Sequence, residues 1–80
     1  MIELKAYTQE QLRKADFVRG ELTMLLTAAD ESIVSCVFHV TVEGEEIVDV
    51  IYRNHYHRNI CVSADSLMAI ALDVVRAVCY

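Results

Sequence analysis

"GELTMLLTAADESIV", Gly20 to Val34, decides the fold. Leu22, Leu25, Leu26 and Ala29 extend a helical face, whereas Leu22, Met24 and Leu26 alternate with Glu21, Thr23 and Thr27 as in a strand. Gly20 weakens a helix and the branched threonines suit a pleated sheet, so the spacing predicts a strand over residues 21–28. A single helix from Gln9 to Ala29 is the competing reading.

Upstream, "TQEQLRKADFVRG" carries a helix with its own start signal. Thr8 is the expected N-cap, Gln11 completes a capping box three residues later, and Leu12, Ala15 and Val18 form the apolar face. Gly20 is then expected just past the helix end. Glu10 near the start and Arg13, Lys14 and Arg19 near the end suit the helix dipole. Residues 2–7 are long enough for an additional edge strand.

Downstream, "SIVSCVFHVTV" puts Val34, Cys36, Phe38, Val40 and Val42 on one face, with Ser35, His39 and Thr41 opposite. "EGEE" is a turn, and "IVDVIYR" places Val48, Val50 and Tyr52 on one face against Ile47, Asp49, Ile51 and Arg53. The two apolar faces coincide only if paired residue numbers sum to an even value, which requires an odd-numbered loop around Gly44. "NICVS" supplies a further strand with Ile60 and Val62 inward. Ser63 or Asp65 caps a last helix, "DSLMAIALDVVRAVCY", whose narrow polar stripe of Ser66, Asp73, Arg76 and Tyr80 implies burial on more than one side.

The expected fold is α+β: an N-terminal helix, an antiparallel meander of three or four strands, and a C-terminal helix, with both helices on one sheet face and the chain forming one domain. Under the competing reading, the α-β-β-β-α order resembles that of double-stranded RNA-binding domains. The Lys-rich start of the last helix in that family is replaced here by "ADSLMAIALD", so no RNA-binding role carries over.

Charge supports the same exclusion. Residues 20–52 hold seven acids (Glu21, Asp30, Glu31, Glu43, Glu45, Glu46, Asp49) and no Lys or Arg, within a net charge of −5. A nucleic-acid module needs a basic footprint, so direct nucleic-acid binding is not expected. An acidic domain suits contacts with basic protein surfaces.

The three cysteines, odd in number and without a C-x-x-C, read as reduced thiols, with Cys36 and Cys79 as inert core residues. No signal peptide or spanning run is visible, and a cytoplasmic, non-membrane protein is expected. Met24 and Met68 are expected as core filler.

Two surfaces are candidate sites. The first is the second sheet face, where parity gathers Leu25, Ile33, Val37, Ile47 and Ile51 beside His39, Asp49 and Cys61; it is too apolar for a solvated face and suits a protein partner or a homodimer. The second is "YRNHYHRN", Tyr52 to Asn59. It reads as a hairpin tip, with Asn54 left-handed, Tyr52 and Tyr56 folded over the sheet end, and Arg53 and Arg58 neutralising Asp30 and Glu31. It also reads as a ligand site in which Arg53, His55, Tyr56, His57 and Arg58 grip an anionic metabolite or nucleotide. Zinc at His55, His57 and Cys61 would lack a near fourth ligand, since His39 and Asp49 are distant in sequence. A Cys61 nucleophile with His57 or His39 and Asp49 is an accidental set on so small a sheet, and two glycines build no phosphate loop.

The sequence therefore points to a non-catalytic binding or regulatory protein without metal or cofactor. Its size and acidity suit a phage or mobile-element inhibitor of a host enzyme or defence complex.

Overall fold

The computed structural model describes residues 7–63 and 65–79. Helix α1 (Gln9–Phe17) begins at the expected capping box. The Thr8 hydroxyl accepts from the Gln11 amide at 3.1 Å, and the Gln11 side chain accepts from the Thr8 amide at 3.0 Å.

The helix does not stop at Gly20. It widens into one π turn (Val18–Leu22) and continues as α2 (Thr23–Ala29), so the competing single-helix reading holds and the strand over residues 21–28 does not form. The reason lies in a strict four-residue repeat. Lys14, Val18, Leu22 and Leu26 are all buried, the last three completely. In an α-helix each four-residue step advances ~40°, so three steps drift ~120° off the sheet. One extra residue taken up by a π turn returns about 100° of that drift. Helix propensity at Gly20 is outweighed by the burial of that row. Leu12 and Met24 fall off it and lie exposed, so neither fills the core.

Asp30 ends α2 with an extended backbone, and its Oδ1 accepts from the Ser32 amide and hydroxyl at 2.9 and 2.7 Å. That tight turn feeds strand β1 (Ile33–Val40), which pairs antiparallel with β2 (Glu46–Tyr52), and β2 pairs antiparallel with β3 (His57–Cys61) in the order β1-β2-β3. The β1–β2 loop, residues 41–45, is odd-numbered as expected, and Gly44 takes φ +91° within it. Cys36 faces Val50 and Phe38 faces Val48, so the apolar faces coincide.

Parity fails at one place. Ile33 pairs with Tyr52 and Ser35 with Ile51, which leaves Val34 as a bulge. The bulge turns Ile33 into the core and Val34 outward, the reverse of strict alternation. Ile33 is thereby removed from the second sheet face.

Helix α3 (Leu67–Cys79) is capped by Ser66, whose hydroxyl accepts from the Ala69 amide at 3.2 Å, rather than by Ser63 or Asp65. Both helical segments cover one face of the sheet: α1, the π turn and α2 lie against β1, and α3 lies against β3. One cluster joins Val18, Leu22 and Leu26 to Cys36, Phe38, Val48, Val50, Val62, Ile70 and Val74. Only one side of α3 is buried, however, because Met68 and Leu72 are 70% and 52% exposed. The expected edge strand falls mostly on residues 2–6, outside the described residues, as does the Cys79 thiol. Among the described residues no helix is long and apolar enough to cross a membrane.

Gly20 has open space where a Cβ would sit. Gly20→Ala is therefore expected to stabilise the protein by about 0.5–1 kcal/mol in urea denaturation, through helix propensity. A glycine terminating the helix would give a loss instead.

Candidate functional site

The helices leave the other face of the sheet bare, and the register fixes its layout. Ser35, Ile51 and His57 form one row across the three strands; Val37, Asp49 and Asn59 form the next; His39, Ile47 and Cys61 form the third. Val37 is 46% exposed, Ile47 and Ile51 are half-buried, and His39, His57, Asn59 and Cys61 are exposed. Of the residues expected here, Val37, His39, Ile47, Asp49, Ile51 and Cys61 do share the face. Leu25 lies exposed on α2 and Ile33 lies in the core. At the centre, the Asp49 Oδ2 meets His57 Nδ1 at 2.9 Å, while Oδ1 is shielded and takes no hydrogen bond among the described residues.

The array assembles no nucleophile and base. His57 and Cys61 stand four residues apart on one strand, ~13 Å by strand rise, and His39 is two strands from Cys61, ~10 Å away. Hydrogen-bond contact is out of reach in both cases within one copy. Among the described residues no group of three or more His, Cys, Asp or Glu side chains can hold a metal ion. The Cys36 thiol is buried, which pushes it up against the smaller opposing pull of the Thr23 hydroxyl, and it is correspondingly unreactive.

"YRNHYHRN" is the β2–β3 hairpin tip. The Tyr52 amide donates to the Tyr56 carbonyl at 2.9 Å and the His55 amide to the Tyr52 carbonyl at 3.0 Å. The left-handed position is His55, at φ 69°, rather than Asn54. Asn54 instead braces the turn, its Oδ1 accepting from the Tyr56 amide at 3.0 Å. The rings of Tyr52 and Tyr56 do fold together, with centroids 5.6 Å apart.

Arg53 reaches the turn after α2, as charge suggested, but binds its backbone: Nε donates to the Glu31 carbonyl at 2.7 Å. Arg58 stands beside Tyr52, whose phenol is raised chiefly by burial and lowered by that guanidinium. An open depression of about 220 Å³ is lined by Ser32, Tyr52, Arg53, Asn54 and Tyr56. His55, His57 and Arg58 are not among its lining residues, so the five residues expected to grip an anion do not converge on it.

A charged cluster that sequence reasoning missed lies under the opposite end of the sheet. Lys14 Nζ donates to Glu46 Oε1 at 2.7 Å with both side chains almost out of solvent, and Gln11 Nε2 donates to Oε2 at 3.0 Å. Asp65 and Asp73 stand beside this pair. Asp65 is raised first by its hydrogen bond to Asp73, then by burial and by the Asp73 charge, with Lys14 opposing and Glu46 adding. A second carboxyl close by, together with burial, disfavours the charged form of Asp65. The signal in the sequence was Lys14 sitting in register with Val18, Leu22 and Leu26.

No protein-family model, curated protein or solved structure matches the chain.

Two outcomes follow from this geometry. Nucleotides, inorganic phosphate and zinc at millimolar concentration are expected to leave the melting temperature unchanged, and a rise of several degrees with any of them would show a site that the side chains do not display. A carboxyl raised on folding contributes stability that is full below its unfolded value of ~3.9 and is lost as pH climbs through the folded value. Asp65→Asn is accordingly expected to melt above the parent at pH 7, with the difference shrinking toward pH 4. A variant less stable at pH 7 would contradict a carboxyl raised on folding.

Proposed function

We propose that the protein is a non-catalytic binding module that docks the bare face of its sheet on another protein. The observation that carries this reading is the three-by-three array: Val37, Ile47 and Ile51 interleaved with Ser35, His39, Asp49, His57, Asn59 and Cys61, uncovered by either helical layer. Three apolar side chains stand round the central Asp49–His57 pair, and a solvated sheet face is expected to be more polar than this, so the patch suits a protein contact. A net charge of −5, concentrated in residues 20–52, favours a basic surface on the partner and speeds its encounter.

Enzyme chemistry has less support, because the thiol and imidazoles of the array stand too far apart to act together. The anionic-ligand reading retains only Arg53 and Tyr56 at the depression. The biological setting of the proposal, inhibition of a host enzyme or defence complex by a phage or mobile-element product, rests on size and acidity alone.

Val37 is the exposed apolar residue of the middle row, and a carboxylate there leaves the core intact. Val37→Glu is expected to weaken a purified partner at least tenfold, on the order of 1.4 kcal/mol, in a titration where Leu12→Glu on α1 has no effect. Equal binding by both variants would remove the sheet face from the interaction.

A further inference from the structure

The two edges of the sheet are finished differently. Along β1 the outward amides after the bulge are those of Cys36, Phe38 and Val40, because the Thr41 amide donates to the Glu45 carbonyl and sets odd-numbered residues toward β2. Thr23 Oγ1 accepts from the Cys36 amide at 3.3 Å, and the Tyr7 hydroxyl accepts from the Val40 amide at 3.2 Å. Side chains therefore cap two of the three outward amides of that edge, on either side of Phe38. On β3 the Tyr52 amide donates to the Tyr56 carbonyl and the Val62 amide to the Glu46 carbonyl, which turns even-numbered residues toward β2. The backbone groups of His57, Asn59 and Cys61 then point outward, and no side chain caps them among the described residues. A row of unpaired amides and carbonyls is a template for another strand.

Beside this edge lies the bare flank of α3. Ile70 and Val74 face the core and are fully buried. Asp73, about 60° to one side of Ile70, meets Asp65 next to Lys14 and so faces α1. Met68 and Leu72 lie about 160–200° round from Ile70, with Ala71 and Val75 between them and the core, on the flank turned away from α1. The apolar arc of the helix continues past the part that the sheet covers, on the side where β3 ends the sheet.

We propose that a second copy of the chain occupies this surface, with β3 pairing antiparallel to its counterpart about a two-fold axis at Asn59, and α3 packing beside its counterpart, so that two sheets become one of six strands. Three features favour a copy over a foreign strand. A two-fold axis at Asn59, normal to the sheet, keeps both copies of α3 on one side of the joined sheet, each with its Met68 and Leu72 flank on the side where β3 ends its own sheet. The register sets Asn59 against Asn59, Arg58 against Ile60 and His57 against Cys61, with no like charges opposed. Neither "HRNIC" nor the flank of Met68, Ala71, Leu72 and Val75 contains an acid, in a chain of net charge −5. An acidic protein meets its own copy most readily on such a patch.

This surface is distinct from the bare sheet face, and either proposal can fail without the other. Sedimentation is expected to give a mass twice the 9.1 kDa of the chain at micromolar concentration. Asn59→Pro removes an amide that points away from β2, and Leu72→Glu charges an exposed position; each is expected to give monomer with unchanged far-ultraviolet circular dichroism. Val37→Glu is expected to remain dimeric. In a Cys61→Ser background, Asn59→Cys should oxidise to a covalent dimer, because directly paired residues of this type lie ~5.5 Å apart between Cα atoms, within disulfide range. A parent that is monomeric at hundreds of micromolar, including one whose β3 edge takes up a different protein, overturns the proposal. So does a dimer that survives both Asn59→Pro and Leu72→Glu, or one that gives no Asn59→Cys crosslink.

Discussion

The Val18 carbonyl is the joint between helix and sheet. It accepts the Thr23 amide from five residues on, the Thr23 hydroxyl at 2.8 Å and the Cys36 thiol at 3.3 Å. A regular α-helix would give this oxygen the Leu22 amide; the widened turn replaces that bond and adds two side-chain donors. Thr23 also meets the Cys36 amide, so one residue both stabilises the wide turn and fixes its distance from β1. Were the turn regular, Leu26 would rotate off the row that Val18 and Leu22 bury. The core would lose its far end, and the α2–β1 turn at Asp30 would start in the wrong direction.

The same row explains how a lysine comes to be buried in a small domain. Lys14 occupies its first position, one step before Val18, and its ammonium is carried over the start of β2 to Glu46. Burying two charges costs several kcal/mol, and only a short, fully hydrogen-bonded pair offsets the loss. Gln11 supplies the second bond to Glu46, and Gln11 is itself fixed by the capping box with Thr8. The signal that starts α1 thereby also positions the donor that completes the buried pair. The Glu46 backbone in turn binds the Ser63 hydroxyl and the Val62 amide, which ties the β3–α3 connection to the same point.

Where the chain's signals were local, they could be read directly. The Thr8–Gln11 box, the alternation of Cys36, Phe38 and Val40, the odd loop at Gly44 and the apolar stripe of α3 each depend on neighbours within a few residues, and each appears in the structure. The misreadings have a common cause in tertiary packing. Gly20 and Thr23 carry little helix propensity, yet the burial of Leu22 and Leu26 overrides it. Val34 fits a strict alternation, but the α2–β1 turn delivers the chain one residue out of phase, so a bulge exchanges Ile33 and Val34. Of the candidate sites, the layout of the sheet face was legible from parity for Val37, His39, Ile47, Asp49, Ile51 and Cys61, though not for Leu25 and Ile33. The layout of Arg53 to Arg58 was not, because it depends on which residue of the tip turns left-handed and on what Arg53 binds across the α2–β1 turn.

The unequal edges bear on what kind of assembly this sheet can make. A strand edge open at both sides of a sheet propagates without limit, which is the route to fibres. Here β1 is capped at Cys36 and Val40 by Thr23 and Tyr7 and deformed by the bulge at Val34, while β3 is short and no side chain among the described residues caps it. Pairing through β3 consumes both open edges at once and leaves a β1 edge at each end. An isologous contact of that kind closes at two copies. The rows of Val37, Asp49 and Asn59 from each copy would then run through the axis as one surface, so the face available to a partner doubles without either copy exposing a new edge.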